Sequence, residues 1–381
     1  MRYHTLIAAI FFDILILIVL THYLLAIVYW AWKKITPDYF QKLAKNDFRF
    51  KTVYPGRTDK QIADLLRETW TRVLIYEDYL AFREKEYNGS YVNVSPNGYR
   101  RVLNQGPWPP DDKAFNIFFF GGSTAFGSGV LDGESIPSFL QNRLRTSYKD
   151  DLSVYNFGRS WYFSTQERIL LEQLLLAHHV PDLVIFFDGM NDFFCCDGKP
   201  AEMRSVKSYF NDELTAGRIL MEIRGIRSSP LTKLYRTVER KATTGKPEKN
   251  SKIADYQDPF ILNGVIGRFV ENKKIIEALA KTYGFSTAFI IQPSPFFKCN
   301  SSCHLFPPAE KSPHRYQAHG YPLFEQKIKA GELGENILWL GNLQEGCTEP
   351  LYVDGFHYTA AFSETIAVEI ERFLAARHCF R

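Results

Sequence analysis

Short apolar runs alternate with longer amphipathic stretches along most of the chain after residue 112. Runs of five or six apolar residues bounded by Gly, Pro or Asp are typical of buried strands, and helically spaced leucines lie between them. The predicted strands are 116–120, 152–157, 183–187, 287–292 and 336–340. The predicted helices are 136–145, 165–178, 260–283 and 362–376. This alternation predicts an α/β domain with a central parallel sheet covered by helices on both faces.

The first apolar stretch is too long for a strand. Residues 6–32 are almost entirely apolar, and residues 14–32 would extend about 28 Å as a helix, which matches the hydrocarbon thickness of a bilayer. Trp30 and Trp32, followed by two lysines, are typical of a membrane interface. Because this end lacks the small residues of a signal-peptide cleavage site, we predict one uncleaved transmembrane helix over residues 6–32.

One carboxylate interrupts this apolar stretch. Asp13 would lie near the interface or pair with a partner helix, since an unpaired carboxylate in lipid is costly. A membrane-protein partner contacting Asp13 is therefore one expectation. The lysines that follow the stretch favour a cytoplasmic globular part, whereas the cysteine content favours the opposite side. We give the cysteines more weight and expect an extracytoplasmic domain, periplasmic or lumenal.

The composition permits a large domain and argues against a nucleic-acid partner. The chain has 381 residues, 45% of them hydrophobic, and a net charge of +4, which is too small to suggest nucleic-acid binding. Positive charge is concentrated between residues 199 and 252, where 13 Lys and Arg accompany 6 Asp and Glu. This stretch is either a solvated helical face or a contact for lipid headgroups or an anionic glycan.

The pattern divides the chain into three parts. The membrane anchor is followed by an N-terminal extension or linker over residues 33–112, helical near residues 60–84, which ends in a proline-rich breaker. The α/β domain occupies residues 113–381. Two insertions, at about 195–258 and 293–334, leave from carboxyl ends of strands. Because ligands of open parallel sheets bind at those ends, the insertions are expected to form lids or substrate walls.

Two strings carry the residues of nucleophilic catalysis. Ser123 stands in a glycine-flanked turn directly after a predicted strand, where little bulk surrounds its hydroxyl. Asp354 precedes His357 by three residues in a turn before the last helix, so the carboxylate can hold one imidazole nitrogen while the other faces the serine. The other histidines, including His304 and His314, are expected on the surface or in loops.

Two further strings supply hydrogen-bond donors. Asn191 follows the clearest predicted strand in the string Gly-Met-Asn-Asp, where its side-chain amide can donate to a developing oxyanion without adding charge. Gly158 also follows a strand, and a bare glycine N–H in that turn can point into the site. Singly, each string is ordinary turn sequence. Their occurrence together and in this order is specific.

In this order the four strings resemble the blocks of the SGNH hydrolase superfamily, also called GDSL lipases and esterases, over residues 114–376. By this resemblance Ser123 is the nucleophile of a Ser-His-Asp triad with His357 and Asp354. The resemblance also implies an oxyanion hole of Ser123, Gly158 and Asn191. It implies a flavodoxin-like three-layer α/β/α sandwich, and the reaction needs no metal or organic cofactor.

One position departs from the family pattern. The Gly-Asp-Ser of the first block becomes Gly-Gly-Ser here, with Gly122 in place of the acidic residue. Altered loop polarity rather than lost catalysis is expected, because that acid does not relay the proton.

The resemblance implies a membrane-anchored serine esterase or acyl hydrolase acting on an acylated glycan or lipid. An O-acyltransferase that passes the acyl group, such as acetyl, to a polysaccharide is an alternative. A non-catalytic SGNH-fold subunit of a membrane complex is another, kept open by the missing acid and by Asp13.

The implied fold also suggests a role for the cysteines. Their even number is compatible with an oxidising compartment, although free thiols remain possible. In the implied fold, most of them follow successive strands toward one edge of the sheet, so disulfides are expected to tie the loops around the active face. The six are Cys195, Cys196, Cys299, Cys303, Cys347 and Cys379.

Overall fold

The computed structural model describes residues 2–35, 38–148, 151–200, 255–300, 302–308, 312–377 and 379, with the backbone alone given for 2–11, 29 and 31–35. The chain divides into two compact units, one of residues 1–42 with 205–254 and one of residues 43–204 with 255–381. The predicted insertion at 195–258 lies mostly outside the described residues.

The described part of the first unit contains one long helix, α1, at Arg2–Ile35. Within the ranges given above, no helix combines the length and the apolarity that are needed to cross a bilayer. The membrane anchor predicted over residues 6–32 is therefore not supported.

A five-stranded parallel sheet organises the second unit. Its strands are β5 (Phe115–Gly121), β6 (Leu152–Asn156), β7 (Leu183–Asp188), β8 (Ser286–Ile291) and β9 (Ile337–Trp339). They pair in the order β6-β5-β7-β8-β9, and every pair is parallel. In chain order this is 2-1-3-4-5, the flavodoxin-like arrangement. The predicted parallel sheet is confirmed, with each strand within one residue of its expected ends.

Helices cover both faces of this sheet. They are α6 (Ile136–Ser147), α7 (Ser164–Leu176), α9 (Pro259–Tyr283), α10 (Tyr316–Lys329) and α11 (Ala360–Ala376), with short α5 (Ser123–Phe126) and α8 (Met190–Phe194). Because strand side chains alternate, Phe118 and Phe120 enter the core that contains residues of α7, α9 and α10. Ile117 and Phe119 enter the core that contains residues of α6 and α11. The predicted α/β/α layering is confirmed.

The helix ends follow from local chemistry. Ser135, Asp258 and Thr359 each accept a backbone N–H at the start of α6, α9 and α11, and Gly284 ends α9 in the left-handed region. The four predicted helices agree within two residues. Residues 293–334 differ from the expected insertion because they include α10, whose Phe324 is fully buried in the core.

The N-terminal segment of the second unit is less helical than expected. It contains α2 (Tyr39–Asn46), α3 (Phe48–Val53) and α4 (Asp59–Trp70), the last started by a Thr58 capping box. An antiparallel hairpin, β1 (Leu74–Glu77) and β2 (Ala81–Glu84), follows, and then the short pair β3 (Tyr87–Asn88) and β4 (Asn93–Val94). The helix predicted near 60–84 is therefore wrong after residue 70. Alternating burial in β2 shows the period of two that the prediction overlooked.

The structure describes all six cysteines and contains no disulfide between them, so the predicted disulfides are wrong. The sulfur atoms of Cys299 and Cys303 are 2.8 Å apart, well beyond the roughly 2.05 Å of a disulfide bond. The Cys303 sulfur instead lies 3.2 Å from the carbonyl oxygen of Asn300.

A buried arginine ties the N-terminal segment to the turn after β5. The Arg100 side chain has no exposed surface, and it donates to the carbonyl oxygens of Phe126, Gly127 and Val130. Its Nε also lies 2.9 Å from an Asp132 carboxylate oxygen. One guanidinium therefore satisfies several acceptors that have no intrahelical donor.

Replacing Arg100 with Met should destabilise the second unit strongly. The substitution keeps an unbranched side chain but removes the Arg100 donors from the Asp132 carboxylate and from the carbonyl groups of Phe126, Gly127 and Val130. We expect the free energy of unfolding in urea to fall by about 3–5 kcal/mol. Arg101→Met, at the exposed neighbouring position, is the matched control. Similar losses of unfolding free energy in both variants would contradict a stabilising role of the Arg100 hydrogen bonds.

Candidate active site

Ser123 begins a single helical turn at the carboxyl end of β5. Gly122 is the N-cap of α5, and the helix ends after Phe126 at Gly127, which adopts a left-handed φ of 85°. A Cβ atom at position 122 would lie 2.3 Å from Nδ2 of Asn191. Glycine at this position therefore leaves the space that Asn191 occupies.

Hydrogen bonds connect Ser123, His357 and Asp354 in a chain. His357 Nε2 lies 2.8 Å from Ser123 Oγ, and His357 Nδ1 lies 2.8 Å from Asp354 Oδ2. Because an ionised carboxylate only accepts hydrogen bonds, Asp354 fixes the imidazole proton on Nδ1 and leaves Nε2 to accept from the serine hydroxyl. The structure thus brings together the three predicted triad residues.

The loop before α11 holds this pair of side chains. Asp354 Oδ1 accepts the backbone N–H groups of Phe356 and His357, each at 2.9 Å. Burial alone would raise the pKa of Asp354, but the adjacent imidazole and these two N–H groups lower it below its ordinary value. The carboxylate is therefore ionised at neutral pH and can orient and stabilise an imidazolium.

Asn191 lies at the start of α8, beyond β7. Its Nδ2 donates to the carbonyl oxygen of Tyr162 at 2.7 Å, and a side-chain amide has a second N–H available for another acceptor. The backbone N–H of Ser123 makes no hydrogen bond with any residue that the structure describes. Ser123 and Asn191 line the same cavity as His357.

Gly158 is close to the nucleophile turn but its N–H is occupied. It donates to Asn156 Oδ1 at 2.9 Å. A Cβ atom at position 158 would lie 2.3 Å from the backbone nitrogen of Phe126 and 2.7 Å from the carbonyl carbon of Ala125. Glycine is therefore required here for close packing against α5. A donor role toward an oxyanion would need the bond to Asn156 to open.

Three buried carboxyl groups lie beneath the Asn191 turn. Glu167, Asp188 and Asp192 come from α7, β7 and α8, and Arg268 donates to the backbone oxygen of Asp192. Burial raises the pKa of Glu167 and of Asp188 well above the ordinary value, and repulsion from the neighbouring carboxyl groups raises each further. Asp192 accepts from Ser164 Oγ at 2.5 Å, which holds the start of α8.

A small aromatic cavity opens beside Ser123. Its volume is about 60 Å³, and its walls include Trp70, Trp161, His314 and Phe356 in addition to the hydrogen-bonded residues. Sequence reasoning missed all four of these. Trp70 lies in the aromatic 33–112 segment, and Phe356 is an unspecified position between Asp354 and His357. Trp161 and His314 belong to no recognisable motif.

His314 and His304 are buried. His304 lies in a loop, which agrees with the predicted surface or loop position, and His314 lies in a short helical turn at Pro313–Arg315. The His314 ring is stacked 4.3 Å from Phe194 and lies 4.2 Å from Phe356. Burial and the nearby His357 lower the pKa of His314 to about 3. His314 is therefore a neutral wall of the cavity. Within the described ranges, His, Cys, Asp and Glu are nowhere grouped in threes that could hold a metal ion.

These groups can carry out acyl transfer. A hydroxyl is hydrogen-bonded to an imidazole whose second nitrogen contacts a carboxylate, which is the arrangement that converts a serine into a nucleophile. Amide and backbone donors adjoin the hydroxyl, where negative charge would develop on a carbonyl oxygen.

No protein-family model matches the chain, and no curated protein is detectably similar to it. Solved structures whose backbone is similar to this one include the lipase Lip_vut3 from a goat rumen metagenome. It is 11% identical, with a TM-score of 0.41, and the match covers 68% of this chain and 97% of that one. The esterase EstA from Pseudoalteromonas sp. has 14% identity and a TM-score of 0.36 over 69% and 98% of the two chains.

The acetyl xylan esterase AlAXEase has 14% identity and a TM-score of 0.37 over 68% of this chain and 98% of that one. Identities and TM-scores this low support no functional inference, so the functional argument rests on the geometry of the site.

Glu167→Gln should weaken the pH dependence of stability. A carboxyl group whose pKa is raised in the folded state stabilises the fold at low pH, and that contribution is lost as pH rises through the raised pKa. Above about pH 4, the unfolding free energy of the variant relative to the wild type should therefore rise by at most about 1.4 kcal/mol per pH unit. Urea unfolding at several pH values measures this slope. Glu271→Gln, which removes an exposed carboxylate from α9, is the control, and parallel profiles for Glu167→Gln and wild type would contradict a protonated Glu167.

Proposed function

We propose that this chain is a serine esterase in which Ser123 is the nucleophile, His357 the general base and Asp354 the residue that orients it. The single observation that carries the proposal is the hydrogen-bonded chain from Ser123 Oγ through His357 to Asp354. The resemblance of the four sequence strings to the SGNH hydrolase superfamily supports the same roles. Acyl esters of glycans or lipids are the proposed substrate class.

The first half of the reaction forms an acyl-enzyme. Ser123 Oγ attacks the ester carbonyl carbon while His357 Nε2 takes the hydroxyl proton, and a tetrahedral oxyanion results. The carbon–oxygen bond to the alcohol then breaks, and His357 returns its proton to the departing alkoxide. The ionised Asp354 stabilises the imidazolium in between. In the second half, water deprotonated by His357 attacks the acyl carbon and releases Ser123.

The oxyanion is proposed to receive hydrogen bonds from Asn191 Nδ2 and from the Ser123 backbone N–H. Asn191 can keep its bond to the Tyr162 carbonyl and donate its other hydrogen. Gly158 can contribute a third donor once its bond to Asn156 opens during the reaction. Asn191 Nδ2 and the Ser123 N–H need no existing bond to open, so these two donors can stabilise the transition state without reorganising.

The identity of the acyl acceptor and the cellular location of the protein are two questions separate from the triad chemistry. A sugar hydroxyl in place of water would make the same acyl-enzyme an O-acyltransferase, and product analysis with and without sugar distinguishes the two. The membrane anchor and the extracytoplasmic placement stay predictions from the sequence, and the proposed chemistry depends on neither.

Ser123→Ala should abolish both esterase activity and labelling by a fluorophosphonate probe. Removal of the nucleophile leaves only the oxyanion donors and binding, so kcat for p-nitrophenyl acetate should fall by about 10⁴-fold or more. Labelling is read on a gel and hydrolysis by absorbance.

Ser90→Ala, which removes an exposed hydroxyl far along the chain from the site, is the control and should be labelled like the wild type. Folded wild-type protein that neither labels nor hydrolyses esters would support the non-catalytic alternative instead.

Asn191→Ala should lower kcat with little change in KM. The Asn191 amide is proposed to bind the oxyanion rather than the ground-state ester, so its loss should reduce kcat by roughly 10²–10³-fold. Asn263→Ala, on α9 and exposed, is the matched control. A change confined to KM would indicate that Asn191 contacts substrate but not the transition state.

A further inference from the structure

Two tryptophans beside Ser123 keep a large part of their surface open. Trp70 is 46% exposed and Trp161 is 41% exposed, and both line the cavity that contains Ser123 and His357. Open apolar surface next to a reactive group marks a place where a ligand is bound.

The N-terminal segment holds Trp161 in a strained backbone conformation. Its φ is 66°, in the left-handed region that a bulky residue rarely adopts. The residues on either side are fixed by strand β2: Ser160 Oγ donates to Glu84 at 2.6 Å, and Tyr162 Oη donates to the Phe82 carbonyl at 2.5 Å. Strain that the surroundings maintain in this way is concentrated at ligand sites.

The N-terminal segment also supplies Trp70. This residue ends α4, and its ring centroid lies 5.2 Å from that of His357, with 59° between the planes. The Arg72 guanidinium, 4.4 Å from the centre of the Phe126 ring, fixes the chain just after it against α5. Because His357 must protonate the leaving alkoxide, the alcohol half of the ester lies beside His357. Trp70 is therefore adjacent to that half.

The cavity beside Ser123 encloses little space. A buried water needs about 10–15 Å³ of such volume, so a cavity of about 60 Å³ encloses a group of only a few heavy atoms. An acetyl group is small enough to fit there.

We propose that Trp70 is a platform for a pyranose ring, and that the enzyme acts on short acyl esters, acetyl above all, of sugar hydroxyls. The C–H face of a pyranose is apolar and slightly positive, so it is attracted to the negative face of an indole. A linear alkyl alcohol has no such flat face. Trp161 lines the same cavity. This inference rests on the proposed esterase function and adds the alcohol that is recognised.

The test compares two acetate esters that differ in the alcohol: a mono-O-acetylated methyl glucopyranoside and n-hexyl acetate. Trp70→Ala should lower kcat/KM for the sugar ester at least tenfold more than for hexyl acetate, mainly through KM. Trp70→Phe should recover most of the loss because it restores an aromatic face. Phe260→Ala removes an aromatic side chain that is 88% exposed on α9 and should change neither activity.

Equal losses on both esters would overturn the platform and leave Trp70 as a support for His357. Faster hydrolysis of hexyl or octanoyl esters than of the sugar ester by the wild type would overturn it in favour of a lipid substrate. A binding measurement separates this inference from the proposed function. Calorimetry with Ser123→Ala protein should detect the acetylated glucoside, and the additional change Trp70→Ala should abolish that binding whether or not Ser123 proves to be the nucleophile.

Discussion

The adjacency of β5 and β7 at the centre of the parallel sheet is the constraint on which the site depends. The connection from β5 to β6 passes through α6 on one face, and the connection from β7 to β8 ends in α9 on the other. The chain therefore leaves the carboxyl ends of β5 and β7 in opposite directions, and a crevice opens between them. Ser123 follows one of these strands and Asn191 the other, so the strand order alone brings hydroxyl and amide together.

Close packing around two glycines then fixes the positions of the Ser123 hydroxyl and the Asn191 amide. Gly122 leaves room for the Asn191 amide, and Gly158 allows its strand-end turn to touch α5. At Gly158 the close contact is with the backbone of α5, and at Gly122 it is with the side chain of Asn191. A larger residue at either position would displace one of the groups that form the site.

The fold and the hydrogen-bonded triad could be predicted from the sequence because their signals are local. A fully buried strand such as β7 is a continuous apolar run, and Asp354 and His357 are three residues apart in one turn. His314 and Trp70 had no such signal, since each reaches the cavity through tertiary packing with residues distant in sequence. The disulfide prediction was wrong for a related reason. The number of cysteines is compatible with an oxidising compartment, but only the geometry of the fold decides whether two sulfur atoms lie close enough to bond.

The N-terminal segment contributes residues to the site in addition to those of the α/β domain. Arg100 satisfies the carbonyl groups at the end of α5, and the β1–β2 hairpin fixes the loop that carries Trp161. His357 is held between the Asp354 carboxylate and the Trp70 ring, so one of its two neighbours comes from the sheet's own loops and the other from this segment. The loops that follow the strands bring Ser123 and His357 together. The N-terminal segment adds the Trp70 ring to the cavity beside them, where we propose that it recognises the alcohol half of the ester.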